Sequence, residues 1–211
     1  MADNYLGRKM EEYEAQKCAS VRTRRVSLAS LIAKNRSTRG FDASFKVRED
    51  QLVSLVEAAR LAPSARNQQV LRFRLVTADE AQLLLPHIRL GGALPELNLP
   101  LAGTEPNAFI VICSEKEGRY VDMDMGIAAQ TILLRAVELG LNGVIIAAFD
   151  HDAVAEALHL PLAPHLLLAV GRSAEHIEVT DISAAESRGY YRKDGIHYVP
   201  KLRVEELIIK R

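Results

Sequence analysis

The 211-residue sequence predicts an α+β fold or a mixed three-layer α/β arrangement. Runs of strand length, alternating or uniformly apolar, recur between Arg72 and Val170, and one long helical segment, Asp122 to Gly140, lies among them. The order of elements is helices, two strands, a long helix, then strand, helix and strand. This does not alternate strictly enough for a doubly wound parallel sheet, so a mixed sheet with helices is expected.

Each element has its own signal. Tyr5, Met10 and Tyr13, then Leu28, Leu31 and Ile32, recur at helical spacing and predict two helices with a basic joint. Asp50 to Leu61 places Leu52, Leu55, Val56 and Ala59 on one helical face; acids suit its start and Pro63 ends it. Arg72 to Thr77 alternates as a half-buried strand does, whereas Ala108 to Cys113 is apolar throughout, as a central strand covered on both faces would be. Asp122 to Gly140 is apolar on nearly every side and ends at a glycine, the pattern of a buried central helix. A strand follows at Gly143 to Ala148, then a short helix capped by Asp150, a strand at Leu166 to Val170, and a polar tail with a short helix near Val204 to Lys210.

Composition narrows the function. Basic and acidic residues balance at 27 each, which removes the broad attraction that nucleic acid or an anionic membrane requires. No apolar run approaches the ~20 residues that cross a bilayer, and the N-terminus lacks the apolar core of a signal peptide. Cys18 and Cys113 stand far apart without a C-x-x-C, so a reducing, cytoplasmic setting is expected. The six histidines lack metal-ligand spacing and no metal is expected. Neither G-x-G-x-x-G nor G-x-x-x-x-G-K-[ST] occurs.

Two segments carry candidate chemistry. Asn35-Arg36-Ser37-Thr38-Arg39-Gly40-Phe41 sets two guanidiniums around hydroxyls and can grip a phosphate; taken alone it better suits a solvated basic joint. Ala62-Pro63-Ser64-Ala65-Arg66-Asn67-Gln68-Gln69 is dense in donors and acceptors that suit the edge of a polar heterocycle, yet such residues also make ordinary turns. Asp122 and Asp124 most simply complement the dipole of the long helix.

Together and in this order, these segments resemble the FMN-dependent nitroreductase family, in which an R-x-S-x-R-like segment precedes an acidic amphipathic helix ending in A-P-S-x-x-N-x-Q. The resemblance continues through Pro106 to Cys113, Asp124 to Gln130, Glu138 to Leu141 and Ala169 to Arg172. It implies a three-layer α+β subunit, with a mixed central sheet covered by helices on both faces, in a homodimer that holds FMN at the subunit interface. NADH or NADPH as co-substrate would reduce the flavin, and a nitroaromatic, quinone or similar small-molecule acceptor would reoxidise it in a ping-pong cycle. The flavin carries the chemistry, so no catalytic side chain is assigned.

Residue by residue, the resemblance assigns Arg36, Ser37, Thr38 and Arg39 to the FMN phosphate and ribityl chain, with Arg172 completing the phosphate site. Pro63, Ser64, Ala65, Asn67 and Gln69 match the loop that reaches FMN, commonly from the other subunit. The family's first arginine falls on Asn35, and its P-x-E-G-like turn falls on Ile146 to Phe149, leaving the backbone N–H groups of Ala147 and Ala148 to meet the ring. The region from His87 to Glu105 reads as a small or open lid.

The expected organisation is an N-terminal helical arm (1–27), an FMN-binding domain (28–185) and a C-terminal extension (186–211) wrapping the partner subunit. Alternatives are a flavin enzyme of the same fold that performs flavin fragmentation, dehalogenation or enone reduction, and a non-catalytic FMN-binding or sensor protein.

Overall fold

A computed structural model describes residues 9, 26–92, 94 and 97–209 of the chain. The expected first helix, most of the 1–27 arm and Cys18 lie outside the described residues.

Helix α1 (Leu28–Lys34) opens on Ser27, whose hydroxyl accepts from the Ser30 N–H at 3.2 Å. Helix α2 (Glu49–Arg60) follows, with Glu49 and Asp50 in its first turn and Leu52, Leu55 and Ala59 buried. Strand β1 (Leu71–Val76) leads through a short helix, α3 (Ala78–Ala81), to β2 (Phe109–Ser114), all six of whose residues are buried. The long α4 (Arg119–Glu138) then precedes β3 (Asn142–Ile146), α5 (His151–Ala157) and β4 (Pro164–Gly171).

These strands form one sheet in the order β1-β2-β4-β3. Even-numbered Ile110, Ile112, Leu168 and Val170 face α2 and α4, meeting Leu52, Leu55, Met125, Ala129 and Ile132. Odd-numbered Phe109, Val111, Leu167 and Ala169 face the opposite layer, meeting Ala81, Leu84 and Val154. Side chains alternate between the faces of a strand, so a strand covered on both sides must be apolar at every position. The sheet is thus covered on both faces.

The pairing is more uniform than the mixed sheet expected. All three pairings in this sheet are antiparallel. Among the described residues its one parallel feature is a bridge between Ser37 and Gly143 at the outer edge of β3. Parallel strand pairing appears instead in the C-terminal segment, where β5 (His176–Ile182) runs parallel to β7 (Ile196–Leu202), and β6 (Tyr191–Lys193) pairs antiparallel with β7. The expected polar tail is therefore a second, three-stranded sheet, followed by α6 (Val204–Leu207).

Helix α4 is buried along one face only. Tyr120, Met123 and Ile127 remain 62%, 47% and 39% exposed, and Leu28 and Ile32 of α1 are 61% and 49% exposed. Among the described residues nothing covers this face, so the helix is not buried all round as expected.

Candidate functional site

The basic segment after α1 is fixed by backbone bonds to β3. Asn142 at the start of β3 holds both ends of the turn: its Nδ2 donates to the Lys34 carbonyl at 2.9 Å and its Oδ1 accepts from the Arg36 N–H at 3.3 Å. The Thr38 N–H then donates to the Gly143 carbonyl at 3.1 Å. Glycine is required at 143, since a Cβ there would lie 2.4 Å from the Ala169 carbonyl oxygen and 2.7 Å from Leu133 Cδ2. The segment ends at Phe41, whose buried ring occupies the space above Gly171, and the Asp42 N–H donates to the Arg172 carbonyl at 2.9 Å.

Alternation along this extended segment sorts its side chains. Ser37 is exposed and Arg39 half-buried, whereas Thr38 is completely buried. The Thr38 hydroxyl bonds to Ser173 Oγ at 2.5 Å and donates to Glu175 Oε2 at 3.2 Å. The side chain of Thr38, expected as a cofactor contact, is buried in the protein interior. The Arg36 guanidinium folds back to donate to the Ile32 carbonyl of α1 at 2.7 Å; its Nε is buried without a partner among the described residues, and burial lowers its pKa. Arg39 donates to the Ser37 carbonyl at 3.1 Å and lies 4.8 Å from the Tyr190 ring centroid. Arg172 stands beside this segment, 3.7 Å from Asp42 and 4.1 Å from the Phe45 ring centroid.

The second predicted segment closes α2 in a turn of unusual backbone. Arg66, Asn67 and Gln69 all occupy the left-handed region, with φ of 52°, 54° and 48°. Such residues cost about 1–2 kcal/mol each and persist only where surrounding contacts impose them. Asp124 supplies such a contact. The residue is 6% exposed and its carboxylate accepts the Ala65 N–H through both oxygens, at 2.9 and 3.1 Å. Ser64 Oγ accepts from the Gln69 N–H at 3.4 Å, and Gln69 Nε2 donates to Asn67 Oδ1 at 3.0 Å.

Pro63, Ser64 and Gln69 line one wall of a cavity of about 370 Å³, with Val56 and Arg60 of α2, Leu71 and Phe73 of β1, and Asp124 completing it. That is the size of a small-ligand pocket. Asp124 thus does more than complement a helix dipole. Neither it nor Glu175 was picked out as a site residue from sequence, where a buried acid looks like any other.

One chain does not bring the two segments together. Asp124 holds the loop near the head of α4, while Asn142 holds the basic segment just beyond its end. Glu138 lies fourteen residues beyond Asp124 on the helix, about 20 Å along the axis at ~1.5 Å per residue. Ala147 and Ala148 are exposed beyond the far end of β3. They meet the lid region there: the Arg89 N–H donates to the Ala148 carbonyl and the Asp150 N–H to the His87 carbonyl, both at 2.9 Å.

Cys113 lies in β2, and burial pushes its thiol pKa up, so a thiolate nucleophile is disfavoured. Among the described residues no helix is long and apolar enough to cross a membrane, and no group of three or more His, Cys, Asp or Glu side chains could hold a metal ion.

A three-layer α+β subunit with a cationic segment on its sheet edge and a clamped polar loop belongs to a fold shared by many solved structures. A nitroreductase family protein from Streptococcus pneumoniae superposes with a TM-score of 0.64 at 21% identity, covering 88% of this chain and 100% of its own. An FMN-dependent nitroreductase from Clostridium difficile has a TM-score of 0.54 at 26% identity, covering 71% of this chain and 89% of its own. A provisionally named nitroreductase of Methanocaldococcus jannaschii is 42% identical over 57 residues, 27% of this chain and 29% of that relative, so the match spans less than a third of its length. The model of the nitroreductase family matches residues 32–172, and the chain belongs to that family.

Proposed function

We propose that the protein is an FMN-dependent oxidoreductase that passes reducing equivalents from NADH or NADPH to nitroaromatic, quinone or similar small-molecule acceptors, donor and acceptor alternating at one site. The observation that carries this reading is the basic segment, anchored by its backbone to β3 so that the Ser37 and Arg39 side chains lie opposite the buried Thr38.

The residues fit FMN. Among the described residues Arg36 Nε is buried and unpartnered, and the Ser37 hydroxyl has no partner. Donors of this kind suit a phosphate dianion, each charge-assisted bond contributing about 1.5–3 kcal/mol. Arg36, Ser37 and Arg39, with Arg172, would hold the phosphate and ribityl end. Pro63, Ser64, Ala65, Asn67 and Gln69 would offer the ring a rigid polar wall, and the Ala147 and Ala148 backbone a further edge. When bound, the flavin supplies the capacity to accept and return a hydride. The protein's residues orient it, keep one face open to exchanging substrates and limit access of water.

The separation of the two segments favours a homodimer in which the loop of one subunit meets the basic segment of the other. The open faces of α1 and α4 supply apolar surface for such an interface. We assign the protein to the cytoplasm, the 1–27 segment to an arm and residues 186–211 to a wrapping extension.

The first test is the visible spectrum of the purified protein and its anaerobic titration with NADH and NADPH. A bound flavin that bleaches, then recovers on adding a quinone or nitroaromatic, is the expected result. Absence of flavin binding when FMN is supplied refutes the reading. Replacing Arg36 and Arg39 together by alanine should release FMN from a folded protein; full retention of flavin would sink the phosphate assignment.

A further inference from the structure

Behind the basic segment lies a polar cluster that flavin binding does not itself require. Glu175, just before β5, has a side chain only 9% exposed. Its Oε2 accepts from the Arg39 N–H at 2.5 Å and from Thr38 Oγ1 at 3.2 Å, while its Oε1 is ion-paired with Arg192 of β6. Ser173 Oγ accepts the Glu175 N–H at 3.2 Å and bonds to Thr38 on its other side. The C-terminal sheet touches the segment a second time through Tyr190, whose ring lies under the Arg39 guanidinium and 5.2 Å from His197.

A buried carboxylate next to a phosphate-gripping segment works against the anion unless something cancels its charge. It also supplies what a neutral side chain cannot: two oxygens, one for the segment and one for a cation. We propose that Glu175 is a positioning residue, fixing the backbone of Arg39 and hence the direction of its guanidinium. On the same proposal Arg192 neutralises Glu175, so that the site stays favourable to an anion. The C-terminal sheet is then part of the cofactor site without touching the cofactor. This rests on the FMN reading.

The test uses full-length protein stripped of flavin and titrated with FMN, followed by flavin fluorescence, with far-UV circular dichroism to confirm the fold. Failure of the unsubstituted protein to bind FMN refutes the flavin reading, not the role of Glu175 within it. Glu175→Ala is expected to raise the Kd for FMN roughly tenfold. Glu175→Gln keeps an acceptor for the Arg39 N–H and recovers most of that loss. Arg192→Met strands the carboxylate and weakens FMN roughly 10- to 100-fold, and adding Glu175→Gln to it restores the affinity of Glu175→Gln alone.

Unchanged affinity in both Glu175→Ala and Arg192→Met overturns the proposal. So does a double variant no tighter than Arg192→Met, which would mark a tether that acts through folding only. If Arg192→Met does not fold, the Glu175→Ala and Glu175→Gln pair decides: equal losses overturn the proposal and recovery by glutamine supports it.

Discussion

Asp124→Ala separates the stability of the fold from the shape of its loop. The bond lost is one N–H shared between two carboxylate oxygens at 2.9 and 3.1 Å, worth about 1.5–3 kcal/mol as a charge-assisted bond. Two effects offset it. Ala65 is half-buried, so water can reach the released N–H, and three left-handed residues are freed to relax, each returning about 1 kcal/mol where it does so. The net loss in urea unfolding should therefore be small, no more than about 1–2 kcal/mol. The loop should lose far more: amide exchange at residues 64–69 should accelerate strongly. FMN affinity should fall by roughly tenfold for each 1.4 kcal/mol of strain that binding must reimpose. A variant with normal exchange in the loop and unchanged FMN affinity would refute the clamp. A stability loss above about 4 kcal/mol would refute the claim that the strain is local.

Gly143→Ala should destabilise the protein by at least about 1–3 kcal/mol in urea unfolding. The Cβ would stand 2.4 Å from a backbone oxygen of the paired strand, which cannot rotate away; a neutral outcome would mean that β3 and β4 can slide apart cheaply. His197 is 3% exposed, and its pKa is held below the ordinary 6.5, first by burial and then by Arg39, with Arg192 adding and Glu175 opposing. The unfolded chain therefore takes up this proton at higher pH than the folded one. Its contribution to stability is complete above the unfolded value and declines as pH falls below it. The Tm should drop between about pH 7.5 and 5.5, and less so in His197→Gln; equal drops would assign the acid sensitivity to other groups.

Much of this architecture is legible because burial imposes period. The Asp50 to Leu61 reading lies one residue from α2 at Glu49–Arg60, and the apolar run at Ala108 to Cys113 one residue from β2 at Phe109–Ser114, since a helix with one apolar face and a strand covered on both sides have few other solutions. The C-terminal sheet is illegible by the same logic. Strand β5 buries only Ile182, so it shows no contrast between faces. A local signal was nonetheless present. Asp194-Gly195 joins β6 to β7 with φ of 52° and 78°, and an Asp-Gly pair between short β-prone runs is a hairpin turn that needs positive φ at both positions. The buried acids have no such signal. Whether Asp124 or Glu175 meets solvent or a backbone N–H depends on which loop the fold brings opposite, a tertiary fact that no local pattern encodes.

The two segments hold their shape for different reasons, and this makes a linkage testable. The basic segment is built on β3, the loop on the head of α4, and ~20 Å of helix separates them in one chain. On the proposed reading a flavin that touches both bridges two chains, and it then binds the dimer more tightly than the monomer. Linkage then requires that FMN tighten the dimer by the same factor. A tenfold preference corresponds to about 1.4 kcal/mol per site, and two sites per dimer square the factor. Sedimentation of stripped protein across a dilution series should therefore give a dissociation midpoint well above that of the FMN-loaded protein. Ile127→Glu, which puts a charge on the open face of α4, should lower both dimer content and FMN affinity. Identical midpoints with and without FMN, in protein that binds it, would mean that one chain holds the flavin alone and that the loop of Pro63 to Gln69 serves something else.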